Sequence, residues 1–522
     1  MGTSNLKERL VKYIDYILIL CVTIIIAFCC PLRIFSKLES KAYDFMLHCR
    51  KNIKSANNLL FIEIDNESIS EIGDWPWTRD ILGDALFRMK ELGVSKAVFD
   101  IEYISPSSKS INSEAEKKRN EIFTHEAQSI SDVVTEMSNA VANGYYSPKE
   151  LPDLSNMMIE EYIKPSIATM QNAADQLIRD NDDYFAKCLA FFGNSWLTIN
   201  IRDMGIERTN EEIAYVTSRF LLDDTFVKDP LHLVRKGNLA TLQEEIETGS
   251  DASKEGFTST IDILMQRAHG AGFTNAFIDA DGSRRRIELL AEKDGRYTAQ
   301  LAFAPICEYL GVESIEREKS SLTLKNAYIP NTDGTLSDKK GDIKIPLDKH
   351  GRMLINWYHS VYKDSFKGKH ESIQFLYKLD QMEKNIASAF SVLSGLRIPD
   401  ENGGDMEYYT EANSILQYAE YLKRRRANLL DKTSALSISG TPIDQNATTE
   451  NDISAYFLEK QEYFGYVESY IEKKYLEDIL KMLDLYNDGT NTDYINEWKE
   501  RLTHVFDALE SEYAQFKRDF EE

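Results

Sequence analysis

The sequence carries none of the signatures that announce catalysis. No G-x-x-x-x-G-K-[ST] phosphate loop, no G-x-S-x-G nucleophile elbow and no H-E-x-x-H metal helix occurs in its 522 residues, so none of the chemistries those spacings build is readable. The eight histidines, among them His48, His125, His350 and His359, show no paired ligand spacing. Cysteine is scarce as well: Cys21, Cys29, Cys30, Cys49, Cys188 and Cys307 are scattered, which argues against a disulfide scaffold and a zinc site alike. Basic charge falls short of acidic, with 61 Lys and Arg against 85 Asp and Glu and a net charge of -24. That balance opposes nucleic acid phosphates and favours small or cationic partners. No cofactor, metal or chemistry of its own is expected of this chain.

One hydrophobic stretch is present. "YILILCVTIIIAFCCPL", Tyr16 to Leu32, has no charge and follows Lys7, Arg9 and Lys12. At about 1.5 Å rise per residue it sits at the short end of what spans a hydrocarbon core. A membrane helix over 14–33, preceded by a short terminus at 1–13, is the leading reading, with a buried core helix as its competitor. Phe28 before Cys29 spoils a lipoprotein-type cleavage site, so the segment reads as an uncleaved anchor. Arg33, Lys37 and Lys41 follow it as closely as basic residues precede it, so charge does not orient it.

Beyond this run the pattern is α/β. "LLFIEID" predicts a strand ending in Asp65. A helix from about Arg79 to Leu92 is predicted by the stripe Ile81, Leu82, Ala85, Leu86, Met89 and Leu92, with Gly93 as its stop. "KAVFDIEYI" predicts a second strand near Asp100, and strand, helix, strand at this spacing predicts a parallel pair. "DDYFAKCLAFFGNSWLTINI" predicts another helix, stopped at Gly193, and a third parallel strand. Asp281-Gly282 and Asp294-Gly295 mark turns in an antiparallel arrangement, and His350-Gly351 marks one between two short strands. Polar helical segments interrupt this rhythm at about 105–182 and 202–268. Long helices with few prolines fill 366–522, where Ile495, Trp498, Leu502, Val505, Leu509, Phe516 and Phe520 form a stripe in need of a partner.

The order of "LESKAYDFMLHCRK", "LLFIEIDNESISEIGDWPWTRDILGDALFRMKELGVSKAVFDIEY", "DDYFAKCLAFFGNSWLTI", "GFTNAFIDADGSRRRIELLAEKDGRYTAQLAFAPICEYLG" and "IPLDKHGRMLINW" closely resembles the CHASE2 family of bacterial extracytoplasmic sensor domains. W-P-W-x-R after an Asp-ending strand is the most diagnostic piece. The resemblance implies a mainly parallel sheet flanked by helices, here with large helical insertions, over 34–365. It also implies an N-terminal membrane helix with its amino end in the cytoplasm, a periplasmic sensor, and a cytoplasmic output that is commonly an adenylate or guanylate cyclase and otherwise a kinase. The family's closing block, a strand followed by membrane helices, is not found before Glu522, and the 366–522 region is expected to be an insertion or a truncated extension. A membrane-anchored binding or scaffold protein is the alternative. The expected partners are an unidentified small-molecule or peptide ligand and a second copy of the chain.

The candidate site is the segment around "EIGDWPWTRDIL". Asp65 and Asp100, at the ends of two strands predicted to be neighbours, could form with Asp74 and Arg79 a polar sensing pocket. The architectural reading, which is preferred, has Asp65 capping the next segment and Arg79 pairing with one of these acids. Trp75 and Trp77 flank Pro76 either as a stacking platform or, again preferred, as a wedge over the sheet end. Asp279, Asp281 and Ser283 superficially resemble a calcium loop, but the glycine is misplaced and a β-turn is the expected form. Arg284 to Arg286 and Lys423 to Arg426 read as solvated or paired basic runs.

Overall fold

A computed structural model describes residues 13, 16, 18–25, 33–50, 56–111, 113–147, 149–175, 178–202, 206–234, 255–276, 278–279, 281–358, 366, 368–399, 403–437, 447–487 and 491–521. Residues 1–12 of the expected terminus and half of the expected membrane segment, 14, 15, 17 and 26–32, lie outside these residues; within that segment 18–25 is helical. Among the described residues no helix is long and apolar enough to cross a membrane. The chain forms two compact units: residues 1–61, 199–258 and 272–371 make the first, and 62–198, 259–271 and 372–522 the second.

In the first unit, a sheet runs in the order Leu336–Pro346, Ser321–Pro330, Ser314–Glu318 and Val227–Lys228. The first three strands are antiparallel, because only Lys319 and Ser320 separate the paired Glu318 and Ser321, too short a link for a parallel crossover. Val227, Ile315, Leu322 and Leu324 point into a core completed by Leu289, Tyr297, Phe303 and Cys307. Leu290–Lys293 and Arg296–Ala299 form the hairpin expected from Asp294-Gly295, and both turn residues take positive φ, 51° and 79°. At Gly272 a Cβ would lie 2.6 Å from Leu301 Cα, so only glycine lets the two backbones approach.

In the second unit, Ala97–Val98 pairs in parallel with Ser195 and Trp196, as the sequence predicts for those two segments. Phe61–Glu63 does not join them: it pairs with His370–Ser372. The predicted strand pair flanking helix Arg79–Glu91 is therefore corrected, because the first strand found a distant partner that local spacing could not reveal. Parallel pairing also joins Val227–Lys228 to Ser314–Glu318, but the longest ladders are antiparallel. The fold is mixed α/β with much helix and small sheets, and dominance of a parallel sheet is not established.

Helix Arg79–Glu91 ends in two backbone bonds, from Val94 to Met89 at 2.9 Å and from Gly93 to Lys90 at 3.1 Å, with Gly93 at φ 86°. This is the glycine stop expected from the sequence. The helix buries more than the predicted stripe, since Phe87 and Arg88 are inside while Leu92 is 37% exposed. The cause is a second set of neighbours: helix Asn181–Phe192 covers one side, with Phe87 stacked on Phe191 at 4.6 Å, and helices Ile373–Gly395 and Ala447–Glu472 cover others. In the C-terminal bundle Phe390 stands edge-on to Tyr470 at 5.1 Å, Ile386, Leu393 and Leu502 are likewise fully buried, and helix Thr492–Glu521 packs on Ile373–Gly395. The insertion after residue 105 is a helical arm, Ser113–Ala142, Leu151–Met158 and Lys164–Asp175, stitched at its base by pairing of Ser110–Ile111 with Ile178–Arg179.

Candidate functional site

Asp65 precedes helix Asn66–Ile72 and caps it: its Oδ1 accepts from the Ser68 amide at 2.9 Å, and Ser68 Oγ accepts in return from the Asp65 amide. Ser372 Oγ also donates to Asp65 Oδ1, at 2.8 Å. The Ser68 amide bond, opposed by partial burial and assisted by the hydroxyls, holds the Asp65 carboxyl below its ordinary range. Trp77 is 8% exposed and donates from Nε1 to the Gly73 carbonyl at 2.6 Å, while Trp75 stands edge-on to it at 5.2 Å and is 38% exposed. The Trp75-Pro76 peptide is cis.

Arg79 turns away from all the acids proposed for it. Its Nη1 donates to Asp182 at 2.6 Å, its Nη2 to the Ser105 carbonyl at 2.5 Å, and its guanidinium lies 5.0 Å from the Tyr103 ring centre. Asp182 also accepts from the Ser107 amide. Asp74 and Asp100 are exposed. Asp65 and Asp100 end strands of different sheets, so the structure does not assemble the predicted acidic pocket. The partner was missed because Asp182 lies 103 residues along the chain; the available signal was that "DDYFAKC" opens a helix with two acids.

In the first unit a different arginine gathers three of the quoted sequence blocks. Arg285 is 4% exposed and reaches Asp44 with Nε and Nη2, both at 2.7 Å, Asp279 at 3.0 Å and Asp281 at 2.8 Å. Arg286 adds Asp279 at 2.7 Å and Asp348 at 3.4 Å. Tyr43 donates to the Ile355 carbonyl at 2.8 Å. Helix Arg33–Cys49, which follows the hydrophobic run, is thus clasped by the 279–286 turn. The turn forms as expected, through Asp279 and Ser283, and arginine nitrogens occupy the carboxylates that calcium would need. Hydrogen bonds from Arg285 hold both Asp44 and Asp281 below the usual carboxylate range.

A buried charge network occupies the second unit. Arg88, 2% exposed, binds Glu91 at 2.5 Å and Glu383 at 2.7 Å, and Lys460 binds the same two carboxylates at 2.8 and 2.6 Å, closing a ring of alternating charge. Arg426 joins Asp84 at 2.7 Å and the Tyr184 hydroxyl at 2.8 Å, and its guanidinium lies 4.0 Å from the Phe87 ring centre. Of the Lys423 to Arg426 run, expected to be solvated or paired, Arg426 is thus one of the paired members. Acids on Arg79–Glu91 and bases on distant helices give no local pattern to find.

Among the described residues no group of three or more His, Cys, Asp and Glu is placed to hold a metal. The arrangement clasps and braces elements rather than activating a nucleophile. The family model described as CHASE2 domain matches residues 17–401. No curated protein and no solved structure matches the chain.

Proposed function

The chain belongs to the CHASE2 family, and from that premise we propose that it is the input part of a bacterial adenylate or guanylate cyclase, anchored in the inner membrane with most of its mass in the periplasm. CHASE2 domains are extracytoplasmic sensors of membrane signal transducers. Membrane anchoring is supported by the helical residues 18–25, where Leu18, Ile19, Leu20, Ile24 and Ile25 are all more than half exposed, a surface that lipid accepts and water disfavours. The observation that carries the reading is the Arg285 clasp, because it ties the helix following this run to a turn of the sensor within the family match. A ligand that favours one packing of the first unit over another would change the hold on Asp44, and through it the position of helix Arg33–Cys49. A homodimer is the proposed signalling unit, since a pair of such helices gives the output two chains to bring together.

Membranes from cells expressing the complete gene should produce cyclic nucleotide, and Asp44→Asn should alter that output at unchanged protein abundance. ATP-dependent autophosphorylation without cyclic nucleotide would replace the cyclase by a sensor kinase. A stop codon directly after Glu522 would sink the transducer reading and leave a binding or scaffold protein.

A further inference from the structure

The helical arm of the second unit carries more apolar surface than it can bury on itself. Helix Ser113–Ala142 packs along Lys164–Asp175 and the π turn Ile159–Ile163, and among the described residues no other helix or strand lies broadly against them. The inward row of Ser113–Ala142 is half-buried at Ile122, Glu126, Val133 and Met137, and on the returning helices Leu154, Ser166 and Ala173 are buried. A pair of helices covers one such row on each and leaves the flanks bare. One flank is apolar. At about 100° per residue, Phe123, Ala127, Ile130 and Val134 stand to one side of the inward row, and Ile159, Ile163 and Ile167 stand to the same rotational side of theirs. Between antiparallel helices equal rotation means a common face, so the two rows run side by side. Phe123, Val134, Ile159 and Ile167 are 38–45% exposed. The second row passes through the π turn, closed by the Lys164 amide on the Ile159 carbonyl, a break in helix geometry that is enriched at functional sites.

The charge pattern around this flank indicates what covers it. Beyond the apolar row, helix Ser113–Ala142 presents Asn120, Thr124, Ser131 and Ser138, while Glu121, His125, Asp132 and Glu136 fall on the opposite flank. The two acids nearest the face, Glu116 and Glu160, are each paired within their own helix, with Arg119 at 3.6 Å and Lys164 at 2.5 Å. In a chain where 28% of residues are charged and the net charge is -24, such a neutral border is selective. A cationic partner would be met by free acids. Two copies of an acidic chain repel, and they meet closely only where no carboxylate faces another. From residue 120 to 141 the face is about 33 Å long and, across two helices, about 20 Å wide. That amounts to about 650 Å² per copy and about 1,300 Å² for two, enough for specific association and more than a monomer ordinarily leaves bare.

We propose that this flank of the arm is a homodimer surface, on which the arm of a second copy lies to complete a four-helix bundle. A two-helix hairpin is half of such a bundle. A two-fold pairing needs only the one face, since the same patch serves both chains. This gives the proposed dimer its surface, and only the role of that dimer in signalling rests on the sensor reading.

The test is sedimentation equilibrium of the full 522-residue chain in density-matched nonionic detergent, together with photocrosslinking from benzoylphenylalanine in place of Phe123. A dimer is expected, with crosslinks that join arm to arm. Ile167→Glu sets like charges against each other across the two-fold axis and should weaken the dimer about tenfold or more. Ala168→Glu, on the outer side of the same helix, should leave it unchanged. The crosslink is read on an otherwise unaltered chain, so it decides the matter even where Ile167→Glu fails to fold. The proposal is overturned if the parent is monomeric throughout the micromolar range, if a folded Ile167→Glu dimerises as tightly as the parent, if Ala168→Glu weakens the dimer equally, or if position 123 gives no arm-to-arm crosslink. None of these readouts uses an output domain. Loss of the surface would leave cyclic nucleotide formation to be read separately, and a stop codon after Glu522 would leave the surface standing.

Discussion

Replacing Lys460 by methionine keeps the length of the side chain and removes the ammonium that closes the buried ring on helix Arg79–Glu91. In the parent, Glu91 and Glu383 each lie between two cations, Arg88 and Lys460, at 2.5 to 2.8 Å. Lys460 is 3% exposed, so water cannot take over its role. After the substitution two carboxylates share one guanidinium in a poorly solvated site. Losing one partner of a buried pair costs about 3–5 kcal/mol, mostly the penalty of the charge left behind. The same reasoning predicts rescue: adding Glu383→Gln to Lys460→Met restores charge balance and should recover more than half of the loss, a coupling visible in a double-mutant cycle. Hydrogen exchange of helices Ala447–Glu472 and Arg79–Glu91 is the appropriate assay, since a chain of two units is not expected to unfold in a single step. Both helices should lose protection together in Lys460→Met. A cost below about 1 kcal/mol, or a double variant worse than the single, would refute the claim that this ring is a compensated buried network.

Three further outcomes follow from the same geometry. Trp77→Ala should cost about 3–5 kcal/mol and Trp75→Ala less than about 1 kcal/mol in the local opening free energy that hydrogen exchange reads in helix Arg79–Glu91, because the first ring is buried and the second 38% exposed; the reverse order would make Trp75 the wedge. The Glu383 carboxyl is held well below the ordinary glutamate range: burial opposes its charge, but Lys460 and Arg88 keep the carboxylate ionised. Its folded pKa lies below its unfolded one, so its stabilising contribution is complete above the ordinary glutamate value of about 4.3 and fades as pH falls below it through the lowered folded value; Glu383→Gln should flatten that part of the acid unfolding curve. Asp44 and Asp281 are likewise depressed, so the clasp should hold at neutral pH and loosen below about 4, seen as faster intrinsic-rate-corrected exchange in helix Arg33–Cys49 that Asp44→Asn shows already at pH 7.

Local rules made some of this architecture readable. Gly93, Gly193 and Asp294-Gly295 mark stops and a turn through backbone conformations that neighbours hardly influence, and they stand where the sequence places them. Helices Arg79–Glu91 and Asn181–Phe192 announce themselves by apolar periodicity. The candidate site was legible residue by residue but not as a constellation. Asp65 could be read as a cap from the serine three positions on, whereas the acid that meets Arg79 belongs to a helix on the far side of a long insertion.

The sequence by itself determined the family, through motifs whose order along the chain is a one-dimensional fact, together with the local elements and the overall acidic character. Tertiary structure alone decided which strand Phe61–Glu63 pairs with, that Arg285 clasps Asp44, and that helices beyond the family match supply Lys460 and Arg426 to the buried charges on Arg79–Glu91. The physical reason is the same in each case. Periodicity and turn chemistry act over a few residues, whereas a salt bridge or a strand pairing is chosen among all the partners that chain closure brings near, at an entropic cost that grows only slowly with separation. The "EIGDWPWTRDIL" segment shows both halves: its proline and tryptophans shape a corner locally, and the fold alone tells Arg79 where to point.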